Sequence, residues 1–157
     1  MKAFLLAAGL GTRLLPLTLE TPKCLVKIKG KPLLECWFDL LFHSDQVESA
    51  LVNTHYLPQK VEAFIDASPH HSKVRTVFEE NLLGTAGSLL KNEAFFNTDT
   101  ILLIHADNYS IFDLDQFIQA HKQRPSECEI TMMTFLTDTP ESCGIVELDD
   151  KHVVQAF

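Results

Sequence analysis

The chain has 157 residues, and at roughly 150 residues per domain that length corresponds to one domain or a piece of a larger one. Hydrophobic residues make up 46% of it and mean hydropathy is +0.06, enough apolar surface for a real core, which excludes disorder over most of the length. With 13 Lys and Arg against 21 Asp and Glu, the formal charge is −8; this excludes a broad basic face for nucleic acid and leaves a few cations to be weighed singly.

No apolar run approaches about 20 residues, which argues against a membrane-spanning helix. The opening Met1 to Gly9 has one positive charge and a short apolar stretch, but the glycine-rich, charged segment behind it suits a buried first strand better than a signal peptide. Cysteines at 24, 36, 128 and 143 form no Cys-x-x-Cys pair and keep no zinc-finger spacing from a histidine. They read as buried or incidental thiols in a reducing cytosol, with a disulfide or metal site as the alternative.

In chain order, Lys2 to Ala8 is a continuous apolar run of strand length, and Pro32 to Ser44 predicts a helix with proline in its first turn. A second strand is predicted around Ala50 to Asn53, then a helix over Pro58 to Ala67 with Val61, Phe64 and Ile65 at helical spacing. Val74 to Phe78 alternates as a strand, Thr85 to Phe96 predicts a helix, Ile101 to Ala106 is another apolar strand, and Leu114 to His121 another helix. Continuous apolar runs suggest strands covered on both faces. The alternation predicts an α/β fold, doubly wound, with a mainly parallel sheet, helices on both faces and right-handed crossovers. After Pro125 the pattern changes to a predicted strand over Glu129 to Leu136 and a turn over Thr137 to Ser142. Gly144 to Leu148 then pairs through Asp149-Asp150-Lys151 with Val153 to Phe157 as a closing β-hairpin.

The richest segment follows the first strand: Gly9-Leu10-Gly11-Thr12-Arg13-Leu14-Leu15-Pro16-Leu17-Thr18, then Thr21-Pro22-Lys23. At the carboxyl edge of an open sheet, Gly9 and Gly11 let backbone N–H groups approach a phosphate, and Arg13 and Lys23 add positive charge. It is no Walker A loop, because Thr12-Arg13 follows Gly11, and no Rossmann fingerprint, because Leu14 stands where a third glycine belongs. As residues alone, Arg13 and Lys23 also fit a pair of solvated surface cations, and Asp107 a turn cap.

The stretch Leu6 to Lys23, of the form G-x-G-T-R-x-x-P-x-T-x-x-x-P-K, resembles the signature of the sugar nucleotidyltransferases, or nucleotide-sugar pyrophosphorylases. Leu83-Gly84-Thr85-Ala86-Gly87-Ser88-Leu89 is similar to the family's second segment, in its guanylyl- and uridylyl-transferring form. Asp107-Asn108 resembles the metal-binding aspartate site, and Cys143-Gly144-Ile145-Val146-Glu147 the sugar-pocket strand.

The resemblance implies the Rossmann-like nucleotide-diphospho-sugar transferase fold and a magnesium-dependent transfer of a nucleotidyl group from a nucleoside triphosphate to a hexose 1-phosphate, releasing pyrophosphate. GTP with mannose 1-phosphate is the favoured pair; glucose 1-phosphate and N-acetylmuramate 1-phosphate, with UTP or dTTP, stay open. It implies Arg13 and Lys23 as catalytic cations and Leu6, Ala8, Gly9, Gly11, Thr12, Gly84 and Thr85 as nucleotide-binding. Asp107 is implied as the Mg²⁺ ligand, and Asn108 and Gly144 as sugar contacts. Thr85 fits a base contact or a helix N-cap, Gly144 a sugar contact or a turn glycine, and Asn53 a sugar contact or a loop cap. Glu80 can accept from a guanine amino edge or stand as a solvated acid.

The family pattern continues with a Glu-Lys-Pro motif and a second metal aspartate, whereas this chain stops at Phe157 inside a predicted strand. The expectation is a single nucleotidyltransferase-like domain over residues 1–157, incomplete at its C-terminus, cytoplasmic, weak or inactive by itself, and compatible with an oligomer. The alternative is a nucleotide- or NDP-sugar-sensing module of the same fold without catalysis.

Overall fold

The apolar run after Met1 forms β1, Lys2–Leu6. After it, β2 (Lys27–Ile28) and β3 (Lys31–Pro32) make a small antiparallel hairpin that the apolar pattern does not reveal. Its turn is Lys29-Gly30, both at positive φ (51° and 87°), the backbone a tight two-residue hairpin requires. Next come α1 (Leu33–His43), β4 (Ser49–Thr54), α2 (Pro58–Asp66) and β5 (Val74–Phe78). They are followed by α3 (Gly84–Lys91), α4 (Glu93–Phe96), β6 (Ile101–His105) and α5 (Leu114–Lys122). The computed structural model describes residues 1–97 and 100–156, and the chain divides into two units, Met1–Leu114 and Asp115–Phe157.

The first unit holds a four-stranded parallel sheet in the order β5-β4-β1-β6. The chain winds outward from β1 to β4 to β5, then crosses back over both to β6. Right-handed crossovers in opposite directions put helices on both faces, as the alternation predicts. On one face Phe4 and Leu51 pack with Phe96 of α4, beside Leu89 of α3, and the Phe4 and Phe96 rings lie 5.4 Å apart. α1 and α2 meet through Phe38 and Phe64, stacked at 6.4 Å.

Coverage on both faces holds for the two inner strands, where Ala3, Phe4, Leu5, Ala50, Leu51 and Val52 are all buried. It fails at the edge strand β6, which buries Leu102 and Ile104 and leaves Ile101 and Leu103 partly open. Pro32 proves to be the flanking residue of α1, and the helix predicted over Thr85 to Phe96 is two helices, because Asn92 turns back to donate to the Ser88 carbonyl oxygen at 2.8 Å.

In the second unit the hairpin forms, with β7 (Glu147–Leu148) antiparallel to β8 (Val154–Ala156); Phe157 lies outside the described residues. Asp149 Oδ1 accepts from the amides of Lys151 and Val153, both at 2.9 Å, which shapes the turn. Gly144 to Val146, predicted as strand, stays unpaired. The strand predicted over Glu129 to Leu136 does not form either, and its Ile130 and Phe135 are 82% and 79% exposed. Its residues have the right propensity, but a strand exists only with a ladder partner, and none of the described residues offers one. After α5, Arg124 Nη1 donates to the His121 carbonyl oxygen at 2.7 Å; burial, and then the Arg124 charge, push the His121 imidazole below its usual pKa.

Candidate active site

The chain leaves β1 toward β4 on one side and returns from β5 to β6 on the other, so the strand order reverses between β1 and β6 and a crevice opens between their carboxyl ends. The loops after β1, β5 and β6 meet there around a cavity of about 240 Å³. Leu6, Ala8, Gly9, Lys23, Gly84, Thr85 and Asp107, all singled out by the sequence, line it together.

The loop after β1 is shaped by Gly11, at φ +68°, where a Cβ would lie 2.9 Å from Thr18 Cγ2. Thr18 Oγ1 donates to the Gly11 carbonyl oxygen at 2.8 Å, and the Leu14 amide bonds the same oxygen at 2.9 Å. Those bonds fold the loop over itself and bring Lys23 back to the sheet edge. Around Gly9 no atom stands within 4 Å of a notional Cβ, so its backbone borders open space. Further on, the Tyr56 hydroxyl donates to the Leu19 carbonyl oxygen at 3.0 Å.

β6 delivers Asp107 two residues beyond its end, and the Ala106 amide continues the ladder to the Leu6 carbonyl oxygen at 3.1 Å. Lys23 Nζ donates to Asp107 Oδ2, an ion pair in which both side chains stay partly open to solvent. Cys24, beside them, is buried; burial foremost, with the nearby Asp107 charge adding to it, pushes its thiol up to about 12, so it remains neutral.

Arg13 does not join Lys23 and Asp107 at this cavity. It stands exposed on the 3-10 turn Thr12–Leu14, where no carboxylate among the described residues pairs with it and the guanidinium keeps its hydration. Gly11 and Thr12 shape or flank the loop without lining the cavity. Asn108 points its side chain to solvent, and its carbonyl oxygen accepts from Trp37 Nε1 at 3.0 Å. Gly144 belongs to the second unit. Thr85 is not an N-cap: α3 starts one residue earlier, at Gly84, and no side chain caps it.

Glu79 is the residue that sequence reasoning missed in favour of its neighbour. Glu80 is exposed, whereas Glu79 is 1% exposed and lines the cavity. The Glu79 amide bonds the Thr54 carbonyl oxygen at 2.8 Å, extending strand geometry past Phe78, and in a strand one residue's step reverses the face. Asn53 Nδ2 and Ser88 Oγ both donate to Glu79 Oε1, at 3.1 and 2.5 Å, and among the described residues no donor reaches Oε2. The period-2 pattern of Val74 to Phe78 carries no such signal, because it sets Glu79 on the same face as the exposed Arg75.

A family model described as nucleotidyl transferase matches residues 2–157. The chain belongs to that nucleotidyl transferase family. A UTP–glucose-1-phosphate uridylyltransferase of Synechocystis is 30% identical to it over 169 aligned positions, covering 100% of this chain and 43% of the relative. A mannose-1-phosphate guanylyltransferase of Mycobacterium tuberculosis is 31% identical, covering 99% and 43%. This chain therefore spans less than half the length of those two relatives. A solved CTP:phosphocholine cytidylyltransferase from Streptococcus pneumoniae superposes with a TM-score of 0.57 at 33% identity, over 72% of this chain and 47% of that one. A glucose-1-phosphate thymidylyltransferase structure from Bacillus anthracis matches at TM-score 0.71 and 23% identity, over 78% and 50%, a likeness of fold alone. No helix among the described residues is long and apolar enough to cross a membrane.

Proposed function

We propose that this chain carries the nucleotide site of a sugar-1-phosphate nucleotidyltransferase, with GTP and mannose 1-phosphate as its substrates. The observation that supports this most is the meeting of the Gly9 backbone, Lys23, Asp107 and the Gly84-Thr85 turn on one cavity at the fold's switch point. In the proposed reaction an oxygen of the sugar phosphate attacks the α-phosphorus, the bond to the bridging β-oxygen breaks, and pyrophosphate leaves. Two polyanions meet, so catalysis is positioning and charge neutralisation. The Gly9 loop offers backbone N–H groups, Lys23 gives its charge to the reacting phosphates, and Arg13, on its exposed turn, is assigned the leaving pyrophosphate. Asn108 remains the assigned sugar contact.

Guanine is supported by Glu79. Glu79 lines the cavity, and a carboxylate suits a base edge that donates from both a ring N–H and an amino group, whereas uracil and thymine carry one such donor. The donor set at Asp107 fits magnesium, which takes one or two carboxylates and completes its shell with phosphate oxygens and water; no group of three or more potential metal ligands is present among the described residues. Bound there, Mg²⁺ would neutralise charge on the phosphates.

A thermal-shift and titration panel of GTP, UTP, dTTP, CTP and ATP with Mg²⁺ tests the reading. GTP is expected to stabilise the chain most, and Lys23→Ala to weaken its binding about ten- to a hundredfold, the worth of one charged hydrogen bond. Stabilisation by no nucleotide would overturn it. Pyrophosphate release with GTP and mannose 1-phosphate marks the transferase, and tight nucleotide binding by the complete protein without release marks the sensor instead.

A further inference from the structure

We infer that Asn53 is a positioning residue for the loop that opens at Ala7, held in one amide orientation by the buried Glu79 carboxylate. Ala7 and Ala8 lie just past the end of β1, and their amides are taken by one side-chain oxygen, Asn53 Oδ1, at 2.7 and 3.3 Å. A single acceptor thus sets two successive peptide planes immediately before Gly9.

An asparagine can present its oxygen or its NH2 by a half-turn of the amide, and here the choice is made on the far side. Asn53 Nδ2 donates to Glu79 Oε1 at 3.1 Å and to Ser88 Oγ at 3.4 Å, while Ser88 Oγ donates to that same Oε1 at 2.5 Å. Glu79 Oε1 acts as the acceptor for both the Asn53 amide and the Ser88 hydroxyl, so it repels the oxygen of a flipped amide and keeps Oδ1 toward the loop. Asn53, Glu79 and Ser88 are all buried, so water does not compete for these bonds. The network joins β4, the end of β5 and α3 to the loop after β1, across the cavity from Gly9 to the Gly84 turn. Its consequence for nucleotide affinity rests on the function proposed above; its geometry does not.

The swap of amide and acid tests it. Asn53→Asp keeps an acceptor toward Ala7 and Ala8 but faces Glu79 with a second carboxylate, and two adjacent carboxylates hold a proton that is lost as pH rises. In ¹H–¹⁵N spectra of Asn53→Asp, the Ala7 and Ala8 amide resonances are expected to move between about pH 5 and pH 8, and GTP affinity to fall about tenfold more than in the native chain over that range. In the double variant Asn53→Asp/Glu79→Gln the new amide donates to the new acid, and the pH-dependent movement of the Ala7 and Ala8 resonances is expected to vanish. His55, whose Nδ1 contacts the Glu79 carbonyl oxygen at 2.7 Å, and Lys23, His105 and Asp107 around the cavity are common to all three chains, so their titration cancels in the comparison.

Ala7 and Ala8 resonances that stay at native positions at every pH in Asn53→Asp, or that titrate equally in the double variant, overturn the inference. Should Asn53→Asp not fold, hydrogen exchange in the native chain decides: slow exchange at Ala7 and Ala8, comparable with β1, supports the inference, and fast exchange overturns it. If the native chain binds no nucleotide, the function reading fails while the amide spectra still judge the network.

Discussion

The two units of this chain are both written in strand and helix patterns, yet they use them differently. In Met1–Leu114 the apolar runs find ladder partners, and Phe4 is fully buried between neighbours on β4 and β6. In Asp115–Phe157 the Ile-Thr-Met-Met-Thr-Phe-Leu run pairs with nothing described, and only five of the described residues enter the β7–β8 ladder strands. Propensity is local, but the free energy of a strand comes from its hydrogen-bonded and packed neighbours. A site therefore assembles only where a ladder already fixes the strand ends, which is why the cavity belongs to the first unit.

The sharpest way to break that contrast is to cut one phenylalanine from each unit. Phe4→Ala is expected to cost about 3–5 kcal/mol in urea denaturation, and Phe135→Ala to stay within about 0.5 kcal/mol. Equal losses would mean that Phe135 is packed in solution and the contrast is false. A smaller effect tests the loop that the first unit supports. Gly11→Ala puts a Cβ at positive φ and 2.9 Å from Thr18 Cγ2, at a cost of about 1–3 kcal/mol. The same measurement with Gly9→Ala, where no atom stands within 4 Å, is expected to give a smaller loss. The weakest effect concerns the buried thiol beside Lys23. The pKa of Cys24 rises from 9.0 to about 12 on folding, so the unfolded chain loses this proton first as pH climbs. Stability from this group is complete below about pH 9 and drains away toward pH 12, and Cys24→Ala is expected to flatten that part of the denaturation profile.

Much of the first unit was readable in one dimension because its elements are separated by clear breaks. Gly9 and Gly11 announced the loop, Pro58 stands at the start of α2, and Asp107 closes an apolar run. What escaped was decided by partners distant in sequence. Glu80 and Glu79 look alike in the chain, and only the bond from the Glu79 amide to Thr54 turns one inward and leaves the other in solvent. Asn53 admitted two readings until Ala7, Ala8 and Glu79, up to 46 positions away, surrounded it. Arg13 was expected to join Lys23 and Asp107, but the turn at Gly11 directs it outward.

By itself the amino-acid sequence determined the α/β alternation, the glycine loop with its cations and the carboxylate at a strand end, because those depend on residue spacing along a few turns of chain. Tertiary structure alone decided which acid is buried, which amide orients the loop, and which strand-like segment stays unpaired. Those outcomes depend on hydrogen-bond partners and desolvation supplied by elements far away in the chain, and no local pattern encodes them.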